Sequence, residues 1–170
     1  DDEVTEHVLK SAEAEGFVAT CLTVDGLGGL AKERDVRNNL QPNYEPAWAD
    51  LFDRPDLRKR MEHVKRDRYM GLTWARLEWL KSLTSMKLVV KGVMTAEDAL
   101  LCVEHGVDGI VVSNHGARVL DTVPATIEML PAIAAAVGGR VEVYLDSGVR
   151  RGTDVLKALA LGARAVLVGR

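Results

Sequence analysis

Sulfur, aromatic rings and long apolar runs are scarce in this chain. Aromatic side chains make up 5% of its 170 residues, so any core must be built from aliphatic groups, chiefly Val, Leu and Ala. Two cysteines, Cys21 and Cys102, are too few for a disulfide-stapled scaffold, and their spacing suits neither a metal site nor a redox pair. Each sits in an apolar run and is expected to be a reduced core thiol. No apolar stretch reaches the ~18 residues of a membrane span. No secretory leader pattern opens the chain. A net charge of −3 provides no general attraction to nucleic acid or to an anionic membrane. These absences predict a soluble, cytoplasmic protein with neither nucleic acid nor membrane as its partner.

What is present is a rhythm. Hydrophobic residues are 47% of the chain, enough for the core of one domain. Short β-branched runs at 17–25, 87–93, 108–116, 141–148 and 164–170 alternate with amphipathic stretches at 72–84, 95–106, 123–139 and 152–163. All the runs but the first are almost continuous in Val, Ile and Leu, as strands covered on both faces of a parallel sheet should be. Thr95 and Thr153 read as helix N-caps, and Gly106, Gly138 and Gly162 as helix stops. The pattern predicts five β/α units of an α/β fold. Residues 26–71 break it with a charged excursion holding three of the five prolines, part loop and part helix at about 54–66.

Polar residues gather where the runs end. Asp25, Lys91, His115 with Arg118, Asp146 with Arg150, and Arg170 each follow a run. In a parallel array those ends share one edge, the edge at which (β/α) barrels build their sites. "DSGVRRG" (146–152) and "VGR" (168–170) add small residues and arginines beside a helix start, the composition of a phosphate cradle. His7, His63 and His105 lie in polar or helical surroundings and are expected at the surface.

In this order, "VVKGV" (89–93), "SNHGAR" (113–118) with "LD" (120–121), "DSGVRRGTDVLKALALGA" (146–163) and "VLVGR" (166–170) resemble the FMN-dependent 2-hydroxy-acid oxidases and dehydrogenases, whose members act on glycolate, lactate or mandelate. The likeness is close over 72–170, looser over 4–38, and not visible over 39–66. It implies a (β/α)8 TIM-barrel type fold holding FMN, with this chain supplying about strands four to eight, and with 26–71 as a loop or lid. It implies oxidation of a small (S)-2-hydroxy acid to the 2-oxo acid. His115 would be the base, Asp25 its partner, and Arg118 the clamp on the substrate carboxylate. Thr23, Lys91 and Ser113 would contact the flavin ring. Asp146, Ser147, Gly148, Arg150, Gly169 and Arg170 would hold the ribityl chain and phosphate. Whether oxygen or another carrier accepts the electrons is left open.

Departures from the family pattern also count. "GLGGLAK" (26–32) puts Lys32 where a second carboxylate-binding Arg is usual, and a lysine cannot grip a carboxylate bidentately. Val119 stands where Gln is usual. Strands one to three have no counterpart here. Five strands leave two open edges, which predicts either further chain segments or a homo-oligomer. Two alternatives stay open at this point: a truncated or remodelled barrel that binds FMN or self-associates without catalysis, and another phosphate-binding barrel enzyme such as an FMN-dependent isomerase.

Overall fold

A computed structural model describes residues 2–26, 33–39, 56 and 72–169. The elements run α1 (Asp2–Ala14), β1 (Ala19–Thr23), α2 (Glu33–Arg37), α3 (Trp74–Leu83), β2 (Lys87–Val93), α4 (Ala96–Glu104), β3 (Gly109–Val112), α5 (Thr126–Val137), β4 (Glu142–Leu145), α6 (Gly152–Ala160) and β5 (Ala165–Val166). The five strands form one sheet in chain order, every neighbouring pair parallel. All five expected strands are present, each shorter than or equal to its apolar run. Of the excursion, 27–32, 40–55 and 57–71 lie outside the described residues, and with them Lys32, His63 and nearly all of the helix expected at 54–66.

Alternation assigns the two faces of the sheet. Leu88, Val90, Ile110, Val112, Val143 and Leu145 are buried in one cluster with Ala99, Cys102, Leu130, Ile133, Val137 and Ala158 from the helices. That outer face is the core. Complete burial of a Leu or Ile side chain there contributes about 1.5–3 kcal/mol. The intervening residues, Val89, Lys91, Val111, Ser113, Tyr144 and Asp146, belong to the inner face. The two cysteines, both expected in the core, separate on this division. Cys102 is buried in the core, where desolvation pushes its thiol up to about 11. Cys21, in register with Val89 on the inner face, is exposed and not a core thiol. Its apolar run misled because alternate residues of β1 do not share one environment. In the 170-residue chain, Cys21 is therefore expected to react with Ellman's reagent within minutes while Cys102 waits for denaturant. Protection of Cys21 would show that something covers the inner face.

Local chemistry sets the helix limits. Thr95 caps α4, its Oγ1 accepting from the Asp98 N–H at 3.1 Å. Thr153 is not a cap: it lies inside α6, and Asp154 closes that helix start by accepting from the N–H groups of Arg150 and Arg151. The helix α1 was not anticipated, although Val4, Val8, Leu9 and Ala12 recur at helical spacing and Asp2 and Glu3 suit its first turn. His105 is also more than a surface residue. Its ring stacks on Trp74 at 5.5 Å, and its Nδ1 lies 3.0 Å from Glu78 Oε1, joining α3 to the end of α4. At the sheet's opposite edge, Asp108 binds Lys87 Nζ and the Leu88 N–H, both at 2.9 Å. Burial alone would raise the Asp108 carboxyl, but those bonds outweigh it and hold the group below its usual range.

Candidate active site

The C-terminal ends of the parallel strands bring the singled-out residues together. Beyond β1 the Val24 N–H still donates to the Lys91 carbonyl at 2.8 Å, which carries Asp25 up against β2. There Asp25 Oδ1 lies 3.1 Å from His115 Nδ1. A carboxylate can only accept, so the partner assigns the proton to Nδ1 and leaves Nε2 as the free acceptor. The Asp25 side chain is 14% exposed and that of His115 34% exposed. Asp25 Oδ2 is buried, with no hydrogen-bond partner among the described residues.

The turn after β3 is held in an uncommon shape. His115 and Ala117 have φ of 57° and 54°, left-handed values that cost L-residues about 1–3 kcal/mol each. The cost is offset by a dense set of hydrogen bonds. Asn114 Oδ1 accepts from the N–H groups of Gly116 and Ala117, and its Nδ2 donates to the Pro124 carbonyl. Ser113 Oγ accepts from the His115 N–H at 3.2 Å. Ser147 Oγ accepts from the Gly116 N–H at 3.0 Å. A turn that stores strain under this many restraints marks a place where side-chain aim matters.

A second cluster lies one strand position deeper. Lys91 Nζ donates to Ser113 Oγ at 2.9 Å and pairs with Asp146 Oδ2 at 3.3 Å. Ser147 Oγ donates to Asp146 Oδ1 at 2.8 Å. Ser113 is fully buried, so it serves Lys91 and the His115 turn at once. Thr126, also buried, donates from Oγ1 to the Asp146 carbonyl at 2.7 Å and steadies this strand end. Thr23 is in register with Lys91, on the same face.

Lys91, His115, Arg118, Asp146, Ser147, Gly148 and Gly169 line one cleft of about 440 Å³. Arg150 lines an adjoining depression of about 400 Å³ that shares Gly116, Ser147 and Gly148 with the cleft. The phosphate cradle differs from the expected form in one respect. The N–H groups of Arg150 and Arg151 are already bound to Asp154 Oδ2, at 3.0 and 2.9 Å, and these bonds hold the Asp154 carboxyl below its usual range. An anion would therefore be met by the Arg150 guanidinium and by amides other than these two. Arg170 and Lys32 lie outside the described residues. Asn114 and Thr126 received no role from sequence. The only signal for them was position, Asn114 beside the histidine and Thr126 at a helix start, and neither specifies a turn-holding bond.

Residues 1–170 match the FMN-dependent dehydrogenase family. The chain belongs to that family. It is 48% identical to 2-hydroxyacid oxidase 1 of Mus musculus, over all of this chain and 49% of the mouse protein. It is likewise 48% identical to a peroxisomal (S)-2-hydroxyacid oxidase of Arabidopsis thaliana, over 99% of this chain and 47% of that protein. A crystal structure of mandelate oxidase with (S)-2-phenylpropionate superposes with a TM-score of 0.82 at 40% identity, over 99% of this chain and 46% of the other. The chain thus spans about half the length of the relatives it matches. The five-stranded parallel sheet is the corresponding part of a (β/α) barrel, as the resemblance implied.

Proposed function

We propose that this chain carries the proton-transfer and carboxylate-binding side of an FMN-dependent enzyme that oxidises a small (S)-2-hydroxy acid to the 2-oxo acid. One observation carries the proposal: His115, held at Nδ1 by Asp25, lines the same cleft as Arg118 and Lys91. The donors fit FMN. Gly148 and Gly169 leave open space where a Cβ would project, so backbone can approach a ribityl chain or phosphate closely. Asp146 and Ser147 offer acceptors for hydroxyl groups, and the Arg150 guanidinium a charge for the phosphate. Lys91 supplies a half-buried cation beside the place for the ring.

When bound, FMN supplies the two-electron acceptor. The chain's own residues do the rest. Arg118 binds the substrate carboxylate through parallel charge-assisted hydrogen bonds. His115 accepts the substrate proton at Nε2, acting as general base. Asp25, bonded to Nδ1, keeps that nitrogen protonated and stabilises the imidazolium that results, as in other His–Asp pairs. Lys91, anchored by Ser113 and Asp146, offsets negative charge that develops in the cleft.

The decisive experiment is anaerobic mixing of the flavin-loaded protein with glycolate, lactate or mandelate. Bleaching of the flavin absorbance by at least one is expected, and no bleaching by any would overturn the proposal. A barrel remodelled for binding alone is the weaker alternative, because it gives no reason for a strained turn that aims an imidazole at a carboxylate.

The phosphate assignment has its own test. Arg150→Ala is expected to weaken FMN binding by about 1.5–3 kcal/mol, the range of a hydrogen bond to a charged group. Equal flavin affinity in fluorescence titrations of the two proteins would remove Arg150 from the phosphate site. We further propose self-association as the state in which the open edges of β1 and β5 are covered. As for compartment, no described helix is long and apolar enough to cross a membrane. One relative is named peroxisomal, so the cytoplasmic placement gains no support from it.

A further inference from the structure

Strand β2 holds one residue more than its neighbour can pair. Lys91 is opposite Val111 and Val93 opposite Val112, which leaves Gly92 as the extra residue of a bulge. Its φ is +110°, a value L side chains rarely adopt. A Cβ placed on Gly92 would lie 2.7 Å from Asp25 Cβ, 2.8 Å from Asp25 Cγ and 2.8 Å from the Asp25 nitrogen. Real Cβ atoms do not come that close. Because one of the three atoms is backbone, no rotamer change at Asp25 relieves the overlap. The bulge also swings Val93 into the core, 3% exposed, while Lys91 keeps the inner face.

We propose that Gly92 is a positioning residue for the proton-transfer pair. The space of its missing side chain is the seat of Asp25, and the seat holds the carboxylate against His115 Nδ1. The two carbons that would collide with a methyl are those that aim the carboxylate. The third contact, at the Asp25 nitrogen, fixes how closely the end of β1 approaches β2. Gly92 touches none of the cleft's reacting positions directly and acts through Asp25. This inference rests on the assignment of His115 as the base, and its test separates the two.

A double-mutant cycle of Gly92→Ala and Asp25→Asn, in flavin-loaded protein confirmed as folded, supplies the test. Gly92→Ala is expected to slow flavin reduction by about 10- to 100-fold, the scale of a 1 Å misplacement. The apparent Kd for the hydroxy acid should stay within about threefold, because Arg118 is untouched. In the Asp25→Asn background the same substitution should change the reduction rate by less than about twofold, because the group it displaces is already lost. Equal factors in both backgrounds would overturn the proposal, showing a general structural effect. The second readout is the His115 tautomer, followed by ¹⁵N NMR in protein without flavin. Wild type should show a protonated Nδ1, and Gly92→Ala a loss of that tautomer. An unchanged tautomer would overturn the proposal. If Gly92→Ala does not fold, Asp25→Glu replaces it: the added methylene carries the carboxylate past the seat that Gly92 leaves and should cost the protonated Nδ1 tautomer, while a wild-type tautomer would overturn the seat. Should no hydroxy acid reduce the wild-type flavin, the proposed reaction fails, yet the tautomer still decides the role of Gly92.

Discussion

Replacing His115 with asparagine is expected to slow flavin reduction by about 10³–10⁴-fold, the upper part of the range for removing a general base. The choice of asparagine follows from the backbone. His115 has φ 57°, and asparagine is among the few non-glycine residues that accept left-handed values readily. The turn should survive, and with it the Ser113 bond to the residue's N–H and the Asn114 bonds beyond it. Arg118 stays in place, so the hydroxy acid should still bind with an affinity near that of wild type. What disappears is a nitrogen able to take a proton near neutral pH. The measurement is stopped-flow reduction of folded, FMN-loaded mutant at saturating substrate. A rate within about threefold of wild type, under 1 kcal/mol in activation free energy, would remove His115 from the mechanism.

Arg118→Ala should fail in a different way. Arg118 is exposed at the end of the left-handed turn and lines the cleft beside His115. Two charge-assisted hydrogen bonds to a carboxylate contribute about 1.5–3 kcal/mol each. Their joint loss corresponds to a fall of about 10²–10⁴ in kcat/KM. Most of it should enter through KM if the clamp grips ground state and transition state alike. Arg118→Lys should recover only part of the loss, since a point charge cannot form the paired bonds. FMN affinity should not move in either variant. If Arg118→Ala weakens flavin binding and leaves KM unchanged, Arg118 belongs to the cofactor and the carboxylate is held elsewhere.

The strands and their shared edge were legible because both leave a signature in composition. Ile110, Val111 and Val112 follow one another in a strand where every residue is buried, and the polar group that follows each run is where a parallel sheet turns. Position at the strand ends singled out His115, Arg118 and Lys91, the family resemblance implied their chemistry, and the fold brings all three to one cleft. Three features were hidden. Cys21 looked like Cys102 because an apolar run does not say which face of its sheet will be covered. The amides of Arg150 and Arg151 looked free because the acid that binds them, Asp154, comes three to four residues later and also suits an ordinary helix first turn. The sequence carries no signal for the role of Gly92 because the group that needs its space, Asp25, is remote in sequence and meets it only after pairing.

The pairing of Asp25 with His115 spans 90 positions of chain. Strands β2, β3 and β4 follow one another through short helical crossovers, whereas β1 reaches β2 only across residues 24–86. Closing that long connection carries the larger entropic cost, so β1 is expected to dock after its neighbours during folding. The reverse holds on heating, where segments with fewer buried contacts open locally before the whole structure melts. β1 is exposed or half-buried along its length, and β3 is buried throughout. Competence for proton transfer therefore depends on the strand expected to arrive last in folding and to leave first on heating. On slow warming, the proposed flavin reduction is expected to fall at a temperature below the midpoint at which the helices melt, and to return on cooling as long as only β1 has lifted away; coincident loss of rate and helicity, by stopped flow and circular dichroism, would count against this order.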